Sequence, residues 1–191
     1  MKAATALALR RHPSLVLGAA ALSLVWTPWS PYEMDLAHKL QTPSAQHWLG
    51  TDAFGRDVAS LLLVGARNTI LVGVLAVGMG LGFGTALGLL AAARRGWVEE
   101  LVMRLADFTF AFPAILSAIL LTAAFGAGIV NAIVAIGIFN IPTFARVARA
   151  SANAVWGREF ILAARACGKG RWRITMDHVL PNIASVLIVQ A

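Results

Sequence analysis

Long uncharged stretches alternate with short charged ones along this chain. Residues 70–93 hold no charged side chain in 24 positions, and a helix needs about 20 apolar residues to cross a bilayer. Residues 108–125 form a second uncharged run, of 18 positions, with Pro113 inside it, and residues 129–145 form a third. This pattern predicts several membrane-spanning helices.

Two further apolar runs lie near the ends of the sequence. Residues 13–29 follow a short basic segment, an order shared by signal peptides and by uncleaved first spans. We interpret this run as a span, because the rest of the chain is equally apolar. The run at 183–191 is too short to cross a bilayer. We therefore expect an all-α membrane protein, a multi-span helical bundle with about four full spans plus the start of a fifth.

The apolar runs divide the chain into three regions. Residues 1–29 would form a cytoplasmic tail and the first span. Residues 30–67 are polar and mixed in charge, so we expect them outside the cytoplasm, with 58–66 as a helix lying along the membrane face. Residues 68–191 would form the transmembrane core.

Small residues recur at every fourth position within the clearest span. Four-residue spacing places them on one face of a helix, where small side chains let a neighbouring helix approach closely. Glycine is also common in membrane helices generally, but this register favours a helix-packing seam. The seam consists of Ala76, Gly80, Gly84 and Gly88.

The composition is 59% hydrophobic and 13% charged, with a net charge of +7. In a soluble domain such a basic balance would suggest nucleic acid. With the N-terminus in the cytoplasm, however, thirteen Lys and Arg residues fall inside, and the other three, Lys39, Arg56 and Arg67, fall outside. This positive-inside bias accounts for the charge. It predicts a multi-pass protein of the inner membrane, partnered by the lipid bilayer and by no nucleic acid.

The sequence shows no apparatus for catalysis. It contains no phosphate-binding P-loop, no HExxH motif and no pair of Cys-x-x-Cys motifs. The single Cys167 excludes an intrachain disulfide. His38 and His47 are nine residues apart, and this spacing is too weak a signal to predict a metal site. We therefore expect a non-catalytic subunit with no metal and no cofactor of its own.

Arg104 and Asp107 are charged residues near or within a predicted span. Their i, i+3 spacing would let them pair on one helix. A charge at membrane depth suggests a function by default, whereas an internal ion pair would merely fix the helix near the interface. We favour the second interpretation.

Residues 151–180 differ from the rest of the chain. They mix basic residues with apolar ones at a helical period, with a break at residues 168–170. The charge pattern places them in the cytoplasm. Either a membrane-surface helix drawn to anionic lipid or a docking element for a soluble partner would have this composition.

Three motifs occur together in order between residues 45 and 190. The first resembles the GTDxxGRD signature of one branch of binding-protein-dependent ABC permeases, which handles dipeptides, oligopeptides, nickel and glutathione. The second, Met103–Arg104 with Asp107 and then Phe112–Pro113, is similar to that branch's next landmark. The first motif comprises Gly50, Thr51, Asp52, Gly55, Arg56 and Asp57.

The third motif resembles the family's cytoplasmic "EAA" loop, which couples the permease to its ATPase. Its usual glutamate is Leu162 here, and Glu159, one turn earlier, would have to substitute. The segment that carries the likeness is residues 151–180. Its matching residues are Glu159, Ala163, Ala164, Arg165, Gly168, Leu180 and Pro181.

The resemblance implies the permease fold of a type I ABC importer that moves di- or oligopeptides, or a related solute such as nickel. ATP and Mg²⁺ would be bound by a partner ATPase. The expected partners are a homologous second permease, two cytoplasmic ATPase subunits and an extracytoplasmic solute-binding protein. Family members typically have six spans, so we expect a C-terminally truncated chain, or an inactive truncated copy. A membrane-embedded enzyme and an ATPase-independent channel or scaffold bundle are the competing hypotheses.

Overall fold

A computed structural model describes residues 13–191, which are mostly helical. Within this range no β-strand forms, and Thr51 and Asp57 make a single antiparallel bridge. The all-α prediction is therefore confirmed for these residues. The helices are α1 Pro13–Leu22, α2 Val58–Met79, α3 Thr85–Arg94, α4 Trp97–Ala111, α5 Ala114–Phe125, α6 Ile129–Trp156, α7 Glu159–Ala166, α8 Arg171–Ile174 and α9 Leu180–Gln190.

Two helices in the described part of the chain are long and apolar enough to cross a membrane. They are Val58–Arg94, with 37 residues, and Ile129–Trp156, with 28. Helices α4 and α5 meet at an 83° bend and make a third span if the bent pair counts as one. The bend falls at Pro113, which disfavours helical backbone in the residue before it. The described residues thus support two or three spans, and the predicted count of four full spans plus the start of a fifth is not confirmed. Helix α1, which lies in the predicted first span at residues 13–29, has ten residues, fewer than a crossing needs.

The predicted surface helix at residues 58–66 is not a separate element. Helix α2 runs on through a π-helical turn, Gly80–Gly84, into α3 without leaving the helical conformation. No proline interrupts this stretch, so nothing forces the chain to turn after residue 66. The predicted boundary between 67 and 68 consequently falls inside a continuous helix.

The amphipathic segment 151–180 is also divided differently from the prediction. Residues 151–156 are the last turns of α6, which ends at Gly157. The predicted break at 168–170 is present, between α7 and α8. Beyond it, α8 continues through a second π-helical turn, Thr175–Val179, into α9. That turn directly precedes the first turn of α9, where Pro181 lacks a backbone N–H to donate.

The chain divides into two compact units at Val72 and Gly73. The second unit is built around α6, against which α3, α4, α5 and α9 pack. Its buried core includes large side chains from α6, α7, α8 and α9. The core residues are Leu89, Ala92, Phe144, Ala148, Ala152, Trp156, Ile161, Ile174, Val179, Ile183 and Leu187.

The predicted small-residue seam lies where the α2–α3 helix contacts α6. Ala76 is fully buried. A Cβ atom added at any of the three seam glycines would collide with α6, so the absence of a side chain sets how closely the two helices approach. The colliding residues are Asn140 for Gly80, Ile141 and Phe144 for Gly84, and Ala145 and Ala148 for Gly88.

Candidate functional site

The candidate site is the segment that joins α6 to α8, residues 157–170, which we call the docking segment. Its helix α7 begins after Arg158, whose backbone is extended. Glu159 lies in the first turn and Arg165 in the last. Each charge opposes the partial charge of its helix end, which favours helix formation in so short a segment.

Gly168 ends α7 in a left-handed conformation with a φ of 77°. The Gly168 N–H donates to the Arg165 carbonyl at 2.9 Å, and the Lys169 N–H donates to the Ala164 carbonyl at 3.1 Å. These two bonds form a Schellman motif, for which glycine is the preferred residue. A Cβ at Gly168 would meet no atom of this chain within 4 Å. The backbone conformation therefore favours glycine here, while the chain itself leaves room for a side chain.

One side chain fastens α7 to the rest of the second unit. Ile161 is fully buried in the core, together with Trp156, Ile174 and Val179. The Arg165 guanidinium lies 5.1 Å from the Trp156 ring centroid, a cation–π contact. Sequence analysis did not select Ile161 or Trp156. In the sequence, each is an apolar residue on one face of an amphipathic helix. That pattern does not show whether the residue attaches one helix to another or is an ordinary core residue.

The outer surface of the docking segment, together with the start of α8, is rich in exposed apolar side chains. Leu162, which stands at the position of the family's usual glutamate, is 58% exposed, and Trp172 at the start of α8 is 68% exposed. Phe160 and Ala163 are exposed as well. Such neighbouring apolar exposure is typical of a surface that another protein covers.

The other predicted residues of this loop fall into two groups. Ala164 and Leu180 are half-buried, whereas Glu159, Arg165, Gly168 and Pro181 are exposed. The basic side chains are partly engaged within the chain. The Lys169 ammonium lies 3.3 Å from the Asp177 carboxylate and 3.0 Å from the ring of His178.

The second candidate region is the segment with the GTDxxGRD signature, residues 30–57, which we call the motif loop. Its glycines are required by the backbone. Gly50 and Gly55 have φ values of 76° and 75°. A Cβ at Gly50 would collide with the Gln41 carbonyl, and one at Gly55 with the backbone of Asp35. Both turns therefore need glycine for conformation and for space.

Thr51 and Asp52 hold the turn of the motif loop together. The Thr51 hydroxyl accepts from the Gln41 N–H at 2.9 Å and donates to the His38 carbonyl at 2.5 Å. The Asp52 carboxylate accepts from the backbone N–H of Phe54 and Arg56 and pairs with the Arg56 guanidinium at 2.6 Å. These hydrogen bonds, that from the Arg56 side chain above all, hold the pKa of Asp52 below its ordinary value.

Asp57 joins the motif loop to the start of α2. Its buried carboxylate accepts from both the N–H and the hydroxyl of Ser60 at 2.8 Å, and lies 3.0 Å from the His47 ring. Burial alone would raise the pKa of Asp57, but these hydrogen bonds outweigh burial and lower it. The Ser60 hydroxyl also accepts from the Trp29 N–H at 3.0 Å. Asp57 thus caps α2, and Ser60 links residue 29 to the same helix.

Arg104 and Asp107 do not pair with each other as predicted. Arg104 reaches back one turn to Glu100 at 2.6 Å. Asp107 instead pairs with Arg146 of α6. The i, i+4 geometry with the glutamate on the N-terminal side is the better one for a helical ion pair, and packing of α4 against α6 supplies a second cation. The sequence could not reveal that second partner, which lies 39 positions away.

No group of three His, Cys, Asp or Glu side chains in the described residues is placed to hold a metal ion. His38 and His47 each bond to an aspartate, Asp35 and Asp57 respectively.

Comparison with known proteins identifies the family. Residues 84–191 match the model of the binding-protein-dependent transport system inner membrane component. This stretch is more than half of the chain and contains the docking segment. The chain belongs to that family.

Curated relatives of this inner membrane component include a glutathione transport system permease protein from Pectobacterium atrosepticum. It is 38% identical over 190 residues, which cover 95% of this chain and 63% of the relative. A dipeptide transport system permease protein from Alkalihalophilus pseudofirmus is 44% identical over 83% of this chain and 52% of its own length. A glutathione transport system permease protein from Escherichia coli is 46% identical over 77% and 48%. The chain thus spans about half to two-thirds of these relatives' lengths.

Proposed function

We propose that this chain is a permease subunit of an ATP-driven importer of peptide-like solutes. Family membership supports the importer assignment. The relatives named above are dipeptide and glutathione transport permeases, which favours a peptide-like solute over nickel. With the chain threaded through the four predicted spans, the thirteen-to-three distribution of basic residues supports an inner-membrane location with the N-terminus in the cytoplasm.

The observation that carries this proposal is the two-sided build of α7. One side places Ile161 in the core of the second unit, and the other exposes Phe160, Leu162 and Ala163. A helix that served only as a connection would have no reason to expose so much apolar surface to the cytoplasm. The exposed side is the surface on which an ATPase subunit would dock.

The same build provides a route for mechanical coupling. A partner that displaces α7 moves Ile161, and Ile161 contacts a core shared with α6 and α9. Close-packed cores transmit displacement because they have little free volume to absorb it. Closure of the ATPase dimer would therefore shift these helices as bodies and alternate the side of the membrane to which the pathway opens.

The chemistry of ATP hydrolysis is assigned to the partner. We propose that ATP and Mg²⁺ are bound by two cytoplasmic ATPase subunits, and that a homologous second permease completes the pathway. An extracytoplasmic solute-binding protein would deliver the solute. In this chain, Glu159 and the basic residues around Gly168 are the polar groups placed to pair with the ATPase.

Replacing Ala163 by Trp tests the docking surface. Ala163 is exposed on α7, so the larger side chain fits this chain but obstructs a closely seated partner. With the complete complex, we expect ATPase co-purification to fall at least tenfold while the amount of membrane-inserted chain is unchanged. Ala123→Trp, at an exposed position on α5, is the matched control and should co-purify normally. Normal ATPase recovery with Ala163→Trp would contradict the proposal.

A further inference from the structure

His178 lies where both ends of the docking segment meet another part of the chain. Its ring makes an edge-on contact with the ring of Phe160, at the start of α7, with centroids 6.3 Å apart. The Lys169 ammonium, near the end of the segment, lies 3.0 Å from Nε2 of His178. Since Phe160 and Lys169 belong to opposite ends of the docking segment, a single side chain contacts both ends.

The two contacts use different properties of the imidazole. A lysine ammonium can only donate hydrogen bonds, so Nε2 of His178 accepts in the contact with Lys169. An edge-to-face contact between aromatic rings at this separation is favourable. The neighbouring Asp177 gives Lys169 a second acceptor at 3.3 Å. Histidine thus supplies an aromatic ring and a hydrogen-bond acceptor at one position.

The backbone places His178 between the docking segment and α9. His178 belongs to the π-helical turn Thr175–Val179, which leads directly into α9. Ile174, Thr175 and Val179 are fully buried, so packing fixes the inner side of this turn. His178 is half-buried and faces the docking segment. Single π-helical turns occur frequently at functional sites.

Backbone hydrogen bonding is interrupted directly after His178. The Leu180 N–H donates to the Thr175 carbonyl, in the wider pattern of a π-helix, and Pro181 has no N–H to donate. The side-chain amide of Asn182 donates to the His178 carbonyl at 2.6 Å. Sharp helix kinks are found at prolines and at π turns, so a force applied at His178 acts where this helix bends most readily.

We propose that His178 is the positioning residue that holds the docking segment against the start of α9. Movement of the segment by the ATPase then acts on the π turn through Phe160 and Lys169, in addition to the route through Ile161. The role in transport rests on the proposed importer function, whereas the attachment itself does not. A segment released from His178 would still bind the ATPase but would move α9 less.

Three substitutions separate the two properties of the ring. His178→Phe keeps the ring and loses the acceptor, His178→Gln keeps an acceptor and loses the ring, and His178→Ala loses both. Met176→Ala is the matched control, because Met176 is half-buried on the same turn but lines a groove with Leu81 and Leu187. Each variant is prepared as the complete complex with its ATPase subunits and reconstituted into vesicles.

Amide hydrogen exchange within residues 157–170 measures the attachment. We expect exchange in His178→Ala to be at least about fivefold faster than in the wild-type chain, because both contacts are lost. The Phe and Gln variants should lie between these two, and Met176→Ala should match the wild type. Equal exchange in all five proteins would overturn the inference, as would an equal increase in Met176→Ala.

The amount of solute carried per ATP hydrolysed measures the coupling, with dialanine and glutathione as the solutes. We expect this ratio to fall at least about fivefold in His178→Ala with normal ATPase co-purification. An unchanged ratio would overturn the inference. If the wild-type complex imports neither solute while exchange responds as expected, the attachment stands and the proposed importer function fails. Uptake by the wild type with equal exchange in every variant would do the reverse.

Discussion

The motif loop and the docking segment both carry family motifs. The polar motif residues of the loop are bonded inside the protein, whereas several motif residues of the docking segment are exposed. In the motif loop, the polar groups of Thr51, Asp52 and Asp57 are bonded within the loop or to the start of α2. In the docking segment, Ala163 and Gly168 touch little of this chain and stand at its surface. The difference indicates that the first motif specifies the loop's own structure, whereas the second leaves its residues exposed, as the partner surface that we propose requires.

The largest expected effect comes from adding bulk at the docking segment. Asn adopts the left-handed conformation more readily than other non-glycine residues, so Gly168→Asn should leave the Schellman motif in place. Its side chain would nevertheless stand where the ATPase approaches. We expect uptake by the complete complex to fall at least tenfold, with normal membrane insertion. Normal uptake would show that Gly168 is needed only for its backbone conformation. Its role would then be the same as that of the glycines in the motif loop.

Removing the Asp57 carboxylate should have a smaller effect, and on stability instead of docking. Asp57→Ala loses the cap of α2 and leaves Ser60 and His47 without their acceptor. We expect the motif loop to lose about 2 kcal/mol, seen as faster proteolysis within residues 30–57. Asp57→Asn, which keeps one acceptor oxygen, should lose less. ATPase co-purification should remain normal in both, and its loss would contradict a purely local role for the loop.

The smallest effect should appear on acidification. The pKa values of Asp35, Asp52 and Asp57 are all lowered from 3.8 by hydrogen bonds that favour the charged carboxylate. Their contribution to stability is therefore complete above pH 3.8 and is lost as the pH falls through the lower folded-state values. Proteolysis within the motif loop should be constant from pH 8 to pH 5 and should quicken below about 3.8. Faster proteolysis already at pH 6 would contradict this account.

Much of the helical layout could be predicted from the sequence because it follows from composition and spacing. The uncharged run at 70–93 and the fourfold register of its small residues predicted a helix, and these residues do contact α6. The break at 168–170 followed from glycines. Such features are local, and local patterns are what a sequence displays directly.

Other features depended on contacts between distant residues. The partner of Asp107 is Arg146 on another helix, so the i, i+3 rule selected Arg104 incorrectly. Residues 58–66 are polar enough at their borders to suggest a separate helix, yet the helix continues into the span. The role of Ile161 depends on its burial beside Trp156 in the core. Burial is a property of the fold and not of the residue type, so the sequence does not show it.

The native cysteine gives the most direct test of the central claim that residues 157–170 dock a cytoplasmic ATPase. Cys167 is exposed, lies at the end of α7 and is the single thiol of the chain. In inside-out vesicles, a membrane-impermeant maleimide should label Cys167 when the ATPase subunits have been stripped, and rebinding of the ATPase should protect it at least tenfold. Labelling from the opposite side of the membrane, or equal labelling with and without bound ATPase, would contradict the account.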